Sequence, residues 1–190
     1  MPHNLNFNED TDKQRVFDVI PRNTVCVLQM VIKPGGAGED GWLTAAQSGG
    51  SHHLNCEYIV VEPGEYAKRK VFTRLTLSGD TDGHKEAARI SRNTLRAILE
   101  SAHGMRPDDR SEAAQAKRNV ASYADFNDLR FVARLGVKPP ENGYDAKNVI
   151  SEVITPDHHD WKKVEQLPGA GSLGVASAPP NSITRPKWGE

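Results

Sequence analysis

The chain has 190 residues, of which 37% are hydrophobic, 26% charged and 6% aromatic. At roughly 150 residues per domain this is one domain, or one plus a tail, long enough to bury an aliphatic core without staples. A net charge of −1 excludes a globally basic nucleic-acid binder, two cysteines exclude a disulfide scaffold, and no apolar run approaches the roughly 20 residues of a membrane span.

The polar, partly acidic start at Met1–Asp10 does not read as a signal peptide, so a cytoplasmic protein with free Cys26 and Cys56 is expected. Residues 1–22 read as a polar lead-in. Val25 to Ile32 is β-branched, apolar and bounded by Pro21 and Pro34-Gly35-Gly36, which predicts a strand. Gly35 to Gly50 reads as a loop, with Trp42-Leu43-Thr44 as a short strand within it. Leu54 to Val61 alternates, with Leu54, Cys56, Tyr58 and Val60 on one face and Asn55 and Glu57 on the other. Lys70 to Leu77 alternates again after the Pro63-Gly64 turn. His84 to His103 predicts a helix with Asp82 as N-cap and Gly104 as stop. Ala88, Ser91, Leu95, Ile98, Leu99 and Ala102 form its apolar stripe. Arg106 to Ala121 is polar and reads as partly helical. Leu129 to Val137 and Val149 to Ile154 close the series as strands.

The expectation is a mainly β fold with one long helix. About five strands form an OB-like Greek-key barrel over residues 23–165, followed by a flexible Pro/Gly/Ala/Ser-rich tail over 166–190. An α+β sandwich is the alternative. Strands and helices do not alternate regularly, so a doubly wound sheet is not expected.

Charge is uneven along the chain. Residues 1–65 carry 4 basic and 9 acidic groups, residues 66–138 carry 15 and 9, and residues 139–190 carry 5 and 7. The middle segment therefore holds the cations, and fields act locally. In the predicted strand Lys70 to Leu77, Lys70, Phe72, Arg74 and Thr76 alternate outward. An aromatic ring between two cations suits a base-stacking platform flanked by phosphate contacts. The plainer reading packs Phe72 under a loop or the helix.

Arg130, Val132 and Arg134 repeat the pattern. Residues i and i+4 of a strand lie about 13 Å apart, within reach of successive phosphates. An edge strand kept soluble by arginine reads equally well. Lys68 and Arg69 add charge at the turn, and Arg89, Arg92 and Arg96 form a helix stripe that reads first as a solvated face. Tyr66 and Tyr144 beside turns are candidates for stacking or for anchoring. Trp42 is either a mobile stacking residue or a loop anchor.

Metal and catalytic signals are weak. Adjacent histidines in Asp157-His158-His159-Asp160 are expected to point apart, and His52-His53-x-x-Cys56 lacks a second half. Asp80-Thr81-Asp82-Gly83 lacks the later residues of a calcium loop. No phosphate loop, nucleophile elbow or dinucleotide fingerprint occurs, so no catalytic residue, metal or cofactor is assigned.

Three stretches carry a resemblance. They are Glu62-Pro63-Gly64-Glu65-Tyr66-Ala67-Lys68-Arg69-Lys70-Val71-Phe72, the Ala-rich helix ending at Ala102-His103-Gly104, and Gly143-Tyr144-Asp145-Ala146-Lys147-Asn148-Val149-Ile150. Over residues 17–165 the chain resembles phage-encoded single-stranded DNA-binding proteins of replication and recombination modules. The resemblance implies an OB-like fold, no enzymatic activity, binding of single-stranded DNA, and phage or host replication and recombination proteins as partners. By position it points to Tyr66, Arg69, Lys70 and Phe72, and also to Lys147 and Asn148.

The chain departs from bacterial single-stranded DNA-binding proteins at its end. Arg185-Pro186-Lys187-Trp188-Gly189-Glu190 is mixed in charge rather than an acidic tip. The leading expectation is a sequence-nonspecific single-stranded DNA binder in a cytoplasm. The alternatives are a protein-interaction or structural accessory module, homo-oligomeric or not, whose basic face docks an acidic partner, and a metal-dependent nuclease-like enzyme built on Asp157, His158, His159 and Asp160.

Overall fold

A computed structural model describes residues 18–167. Expectations for residues 1–17, and for the tail from residue 168 onward, lie outside the described residues. The elements in chain order are β1 (Val25–Lys33), β2 (Thr44–Ala45), β3 (Ser51–Val60), β4 (Lys70–Gly79), α1 (Asp82–His103), α2 (Glu112–Arg118), a 3-10 turn (Tyr123–Phe126), β5 (Arg130–Lys138) and β6 (Lys147–Ile154). The result is a mainly β protein, with a six-stranded antiparallel sheet and two α-helices rather than one. No helix among the described residues is long and apolar enough to cross a membrane.

β3 is the hub of the sheet. One of its edges pairs with β4 (Ile59 opposite Lys70), and the other with β1 (Val60 opposite Leu28) and with the short β2. β1 then pairs with β5, and β5 with β6. The path β4-β3-β1-β5-β6 is open, because no ladder joins β4 to β6 among the described residues. A cavity of about 450 Å³ lies at that seam, lined by Tyr58, Thr73, Leu75, Ile90, Thr94 and Val153. β5 is an interior strand, so the edge-strand explanation of its arginines is set aside: both of its ladders are occupied.

Strand alternation produces the core, because successive side chains face opposite sides of a sheet. Leu28, Met30, Leu54, Tyr58, Val71, Leu75, Phe131 and Leu135 turn inward and are buried. Tyr58 and Phe131 meet edge to face at 5.7 Å, the geometry that ring quadrupoles favour. Cys26 and Cys56 are free and buried, and burial pushes both thiols up to about 12. Protonated thiols of this kind are poor nucleophiles.

α1 buries the stripe that the sequence predicts, Ala88, Ser91, Leu95, Ile98, Leu99 and Ala102. Thr81, not Asp82, is the N-cap. Its backbone is extended, and its hydroxyl accepts from the His84 N–H at 3.1 Å. Gly104 ends the helix at φ 66°, a left-handed conformation that glycine adopts without a Cβ penalty. The arginine stripe is mostly spent locally. Arg89 pairs with Glu86, Arg92 donates to the Leu77 carbonyl, and Arg96 pairs with Glu100. Glu100 is buried and also takes Arg118 of α2 at 2.9 Å, which locks the two helices together.

Two irregular segments complete the packing. In the loop between β1 and β3, Trp42 is only 8% exposed and joins the core. Asp40 beside it accepts from the Ser122 hydroxyl at 2.6 Å. After β6, residues 155–167 run back over the molecule. Trp161 donates to the Ser101 carbonyl, Lys162 pairs with Glu62, and Gln166 bonds Arg130 and Ala102. Gln166, read from sequence as the first tail residue, is thus held by the domain.

Candidate nucleic-acid interface

The outward faces of β1, β3 and β4 form one surface, because antiparallel pairing sets residues of like parity side by side. The register defines three rows across it. Lys33, Asn55 and Arg74 form one row, Val31, Glu57 and Phe72 the next, and Gln29, Ile59 and Lys70 the third. Phe72 is 64% exposed, with Lys70 and Arg74 two residues to either side on the same strand. The plainer reading, in which Phe72 packs beneath a loop or helix, does not hold in this structure. A groove of about 230 Å³ runs along the patch, lined by Lys33, Asn55, Glu57, Phe72 and Arg74.

Glu57 is the residue that strand alternation alone did not single out. It points outward and is nevertheless buried, at 6% exposure. A buried carboxylate needs partners. Lys70 Nζ lies 2.8 Å from its Oε1, and Lys33 Nζ lies 3.8 Å from its Oε2. Two cations are thus gathered over one anion beside an exposed ring. Asn55 and Lys33 were also missed. The available signal was the outward parity of Asn55 and Glu57, combined with the hairpin-like order of the first three long strands. The Arg74 side chain makes no hydrogen bond or ion pair among the described residues. It does help hold the neighbouring His53 imidazole below its ordinary range, after burial, which is the larger cause.

The turn from β3 to β4 carries the other cations. Lys68 is exposed, with φ 65° and its N–H on the Val60 carbonyl at 2.8 Å. Arg69 donates to the Asp18 carbonyl at 2.5 Å. Tyr66 is partly buried against the core, and burial together with Glu65 raises its hydroxyl pKa. It is therefore an anchor at the hairpin end rather than a second open ring.

The remaining predicted residues are placed elsewhere. Trp42 is in the core, so its ring is withdrawn from solvent. Arg134 is held by Glu152 at 3.1 Å and Asp160 at 2.9 Å. Arg130 donates to the Glu165 carbonyl, and its Nε is buried. Their face is covered by residues 155–167, so these two arginines are not open to phosphates in this structure. Lys147 is exposed at the start of β6, opposite Lys138. Asn148 is a clamp. Its Oδ1 accepts from the Ile20 N–H, and its amide donates to the Ile20 carbonyl, both at 2.8 Å. Tyr144 is 78% exposed in the turn between β5 and β6.

The histidine pair departs from expectation. His158 and His159 lie in a turn rather than an extended strand, so their rings stack at 4.3 Å instead of diverging. With Asp160 they offer donor atoms within 4.8 Å of one another, a set able to hold a cation. Asp160 is, however, committed. It takes Arg134, and its N–H donates to His158 Nδ1 at 3.1 Å.

A scan against family models finds none that matches the chain. A search of curated proteins finds no match either.

Proposed function

We propose that the protein is a non-catalytic single-stranded nucleic-acid binder that grips DNA on the outer face of β3 and β4. The observation that carries this reading is Phe72, an exposed ring between Lys70 and Arg74 over a groove. Base–aromatic stacking contributes about 1–3 kcal/mol per base and tolerates any base. Flanking cations add the salt-dependent phosphate contribution. The strand path β4-β3-β1-β5-β6, with α1 inserted between β4 and β5, is compatible with an OB-like barrel whose β4–β6 seam is open. Such barrels bind oligonucleotides on their second and third strands, which here are β3 and β4 when the two-residue β2 is left out. The resemblance to phage single-stranded DNA-binding proteins suggests replication or recombination as the setting.

Fluorescence anisotropy with a labelled oligo-dT, at low and moderate salt and beside a duplex control, tests the proposal. Salt-sensitive binding to the single strand and much weaker binding to the duplex is the expected outcome. No binding to the single strand at low salt contradicts it.

A further inference from the structure

We infer that the groove beside Phe72 prefers a base carrying an exocyclic amino group, cytosine in particular, because the charged group at its floor is the Glu57 carboxylate, an acceptor only. The inference rests on the proposed nucleic-acid reading and adds a base preference at one position of an otherwise sequence-tolerant site.

Glu57 sits directly across the β3–β4 ladder from Phe72, so a base stacked on that ring turns an edge toward the carboxylate. Oε1 of Glu57 takes Lys70 at 2.8 Å. Oε2 is 3.8 Å from Lys33 Nζ, beyond hydrogen-bond distance, and is an open acceptor. Asn55, in the adjacent row, spends one of its two amide N–H groups on the Thr44 hydroxyl at 3.0 Å and keeps its carbonyl oxygen as an acceptor and its second N–H as a donor. The cations stand higher at the rim. The side chain of Glu57 is 8% exposed, against 61% for Lys33 and 49% for Lys70. Cations at the rim suit phosphates, and a carboxylate at the floor suits an amino edge.

Carboxylates accept from the cytosine N4 amino group, whereas uracil presents a carbonyl oxygen at the same ring position, which a carboxylate repels. The two bases offer nearly the same stacking surface, so comparing them isolates the edge.

The experiment is an anisotropy titration of the full chain with oligo-dC and oligo-dU of equal length, repeated with Glu57→Gln. The wild type is expected to bind oligo-dC about tenfold more tightly, within the range of one good base-edge contact. Glu57→Gln is expected to bring the ratio close to one, because an amide offers either a donor or an acceptor. It should also bind oligo-dU more tightly, with a steeper salt dependence, since Lys70 and Lys33 lose their internal anion. Equal binding of both oligonucleotides by the wild type overturns the inference and leaves the proposed function standing. A preference that survives in folded Glu57→Gln overturns the assignment to Glu57. Failure to bind either oligonucleotide at low salt overturns both readings. Should Glu57→Gln not fold, Glu57→Asp, which withdraws the carboxylate by one methylene, is expected to reduce the preference, and an unchanged preference counts against Glu57.

Discussion

The outer faces of β4 and β5 carry nearly the same pattern and reach opposite environments. Lys70-x-Phe72-x-Arg74 on β4 stands open, with the ring 64% exposed. Arg130-x-Val132-x-Arg134 on β5 is closed over. Val132 is fully buried, and Arg134 is shared between Glu152 and Asp160. The difference lies in the chain that packs over each strand. Among the described residues β4 has a ladder only with β3, whereas the segment after β6 returns across β5, fastening to it through Asp160 and Gln166 and to α1 through Trp161. Cations alternating with an apolar residue therefore specify a face. Whether that face meets solvent, and so whether it is free to bind, depends on a segment far away in sequence.

Substitutions at matched positions test this contrast most strongly. Phe72→Ala is expected to lower affinity for oligo-dT about tenfold, as loss of one stacking partner predicts. Its stability should change by no more than about 0.5 kcal/mol, because the ring is exposed. Val132→Ala is expected to do the reverse, costing about 2 kcal/mol of stability in urea unfolding with binding unchanged. A binding loss at Val132 without unfolding would break the comparison.

The arginines give a smaller and separable effect. Arg74→Ala is expected to weaken binding and to reduce the slope of log K against log salt by about 0.7, the increment for one phosphate contact on a single strand. Arg134→Ala is expected to leave that slope alone and to lower the midpoint of urea unfolding, by taking the arginine from Asp160 and Glu152.

Acid sensitivity comes next in size. Burial, the larger cause, holds His53 and His103 below the ordinary histidine range, with Arg74 and Lys117 respectively adding to it. The unfolded chain therefore takes up these protons first. Stability should be complete above about pH 6.5 and should fall as the pH drops below it, by less than about 1.4 kcal/mol per pH unit for each histidine, until the folded-state values are passed. Urea unfolding across that range checks this, and a rise in stability on acidification would contradict it. The smallest effect is local. Arg74→Ala should move the His53 titration upward, as read by NMR, because the second cause of its depression has been removed.

Much of this architecture can be read along the chain. Alternation in Leu54–Val60, Lys70–Leu77 and Leu129–Val137 assigns the correct inward residues, and the α1 stripe and its Gly104 stop match the helix observed. Phe72 as an outward ring is legible for the same reason. Three features are not. Glu57 alternates outward like a solvated residue, and its burial comes from lysines on two other strands. Trp42 sits in a glycine-rich loop without periodicity, and its burial depends on that loop folding over the 3-10 turn. The cover over β5 is polar and has no apolar period. It is held by side-chain hydrogen bonds and ion pairs that no local pattern announces.

Amide chemical-shift mapping of the labelled protein titrated with oligo-dT tests the central claim most directly. Shifts are expected to cluster at Lys33, Asn55, Glu57, Phe72 and Arg74, with Arg130, Val132 and Arg134 unmoved. Shifts centred on β5, or none at saturating oligonucleotide, would contradict it.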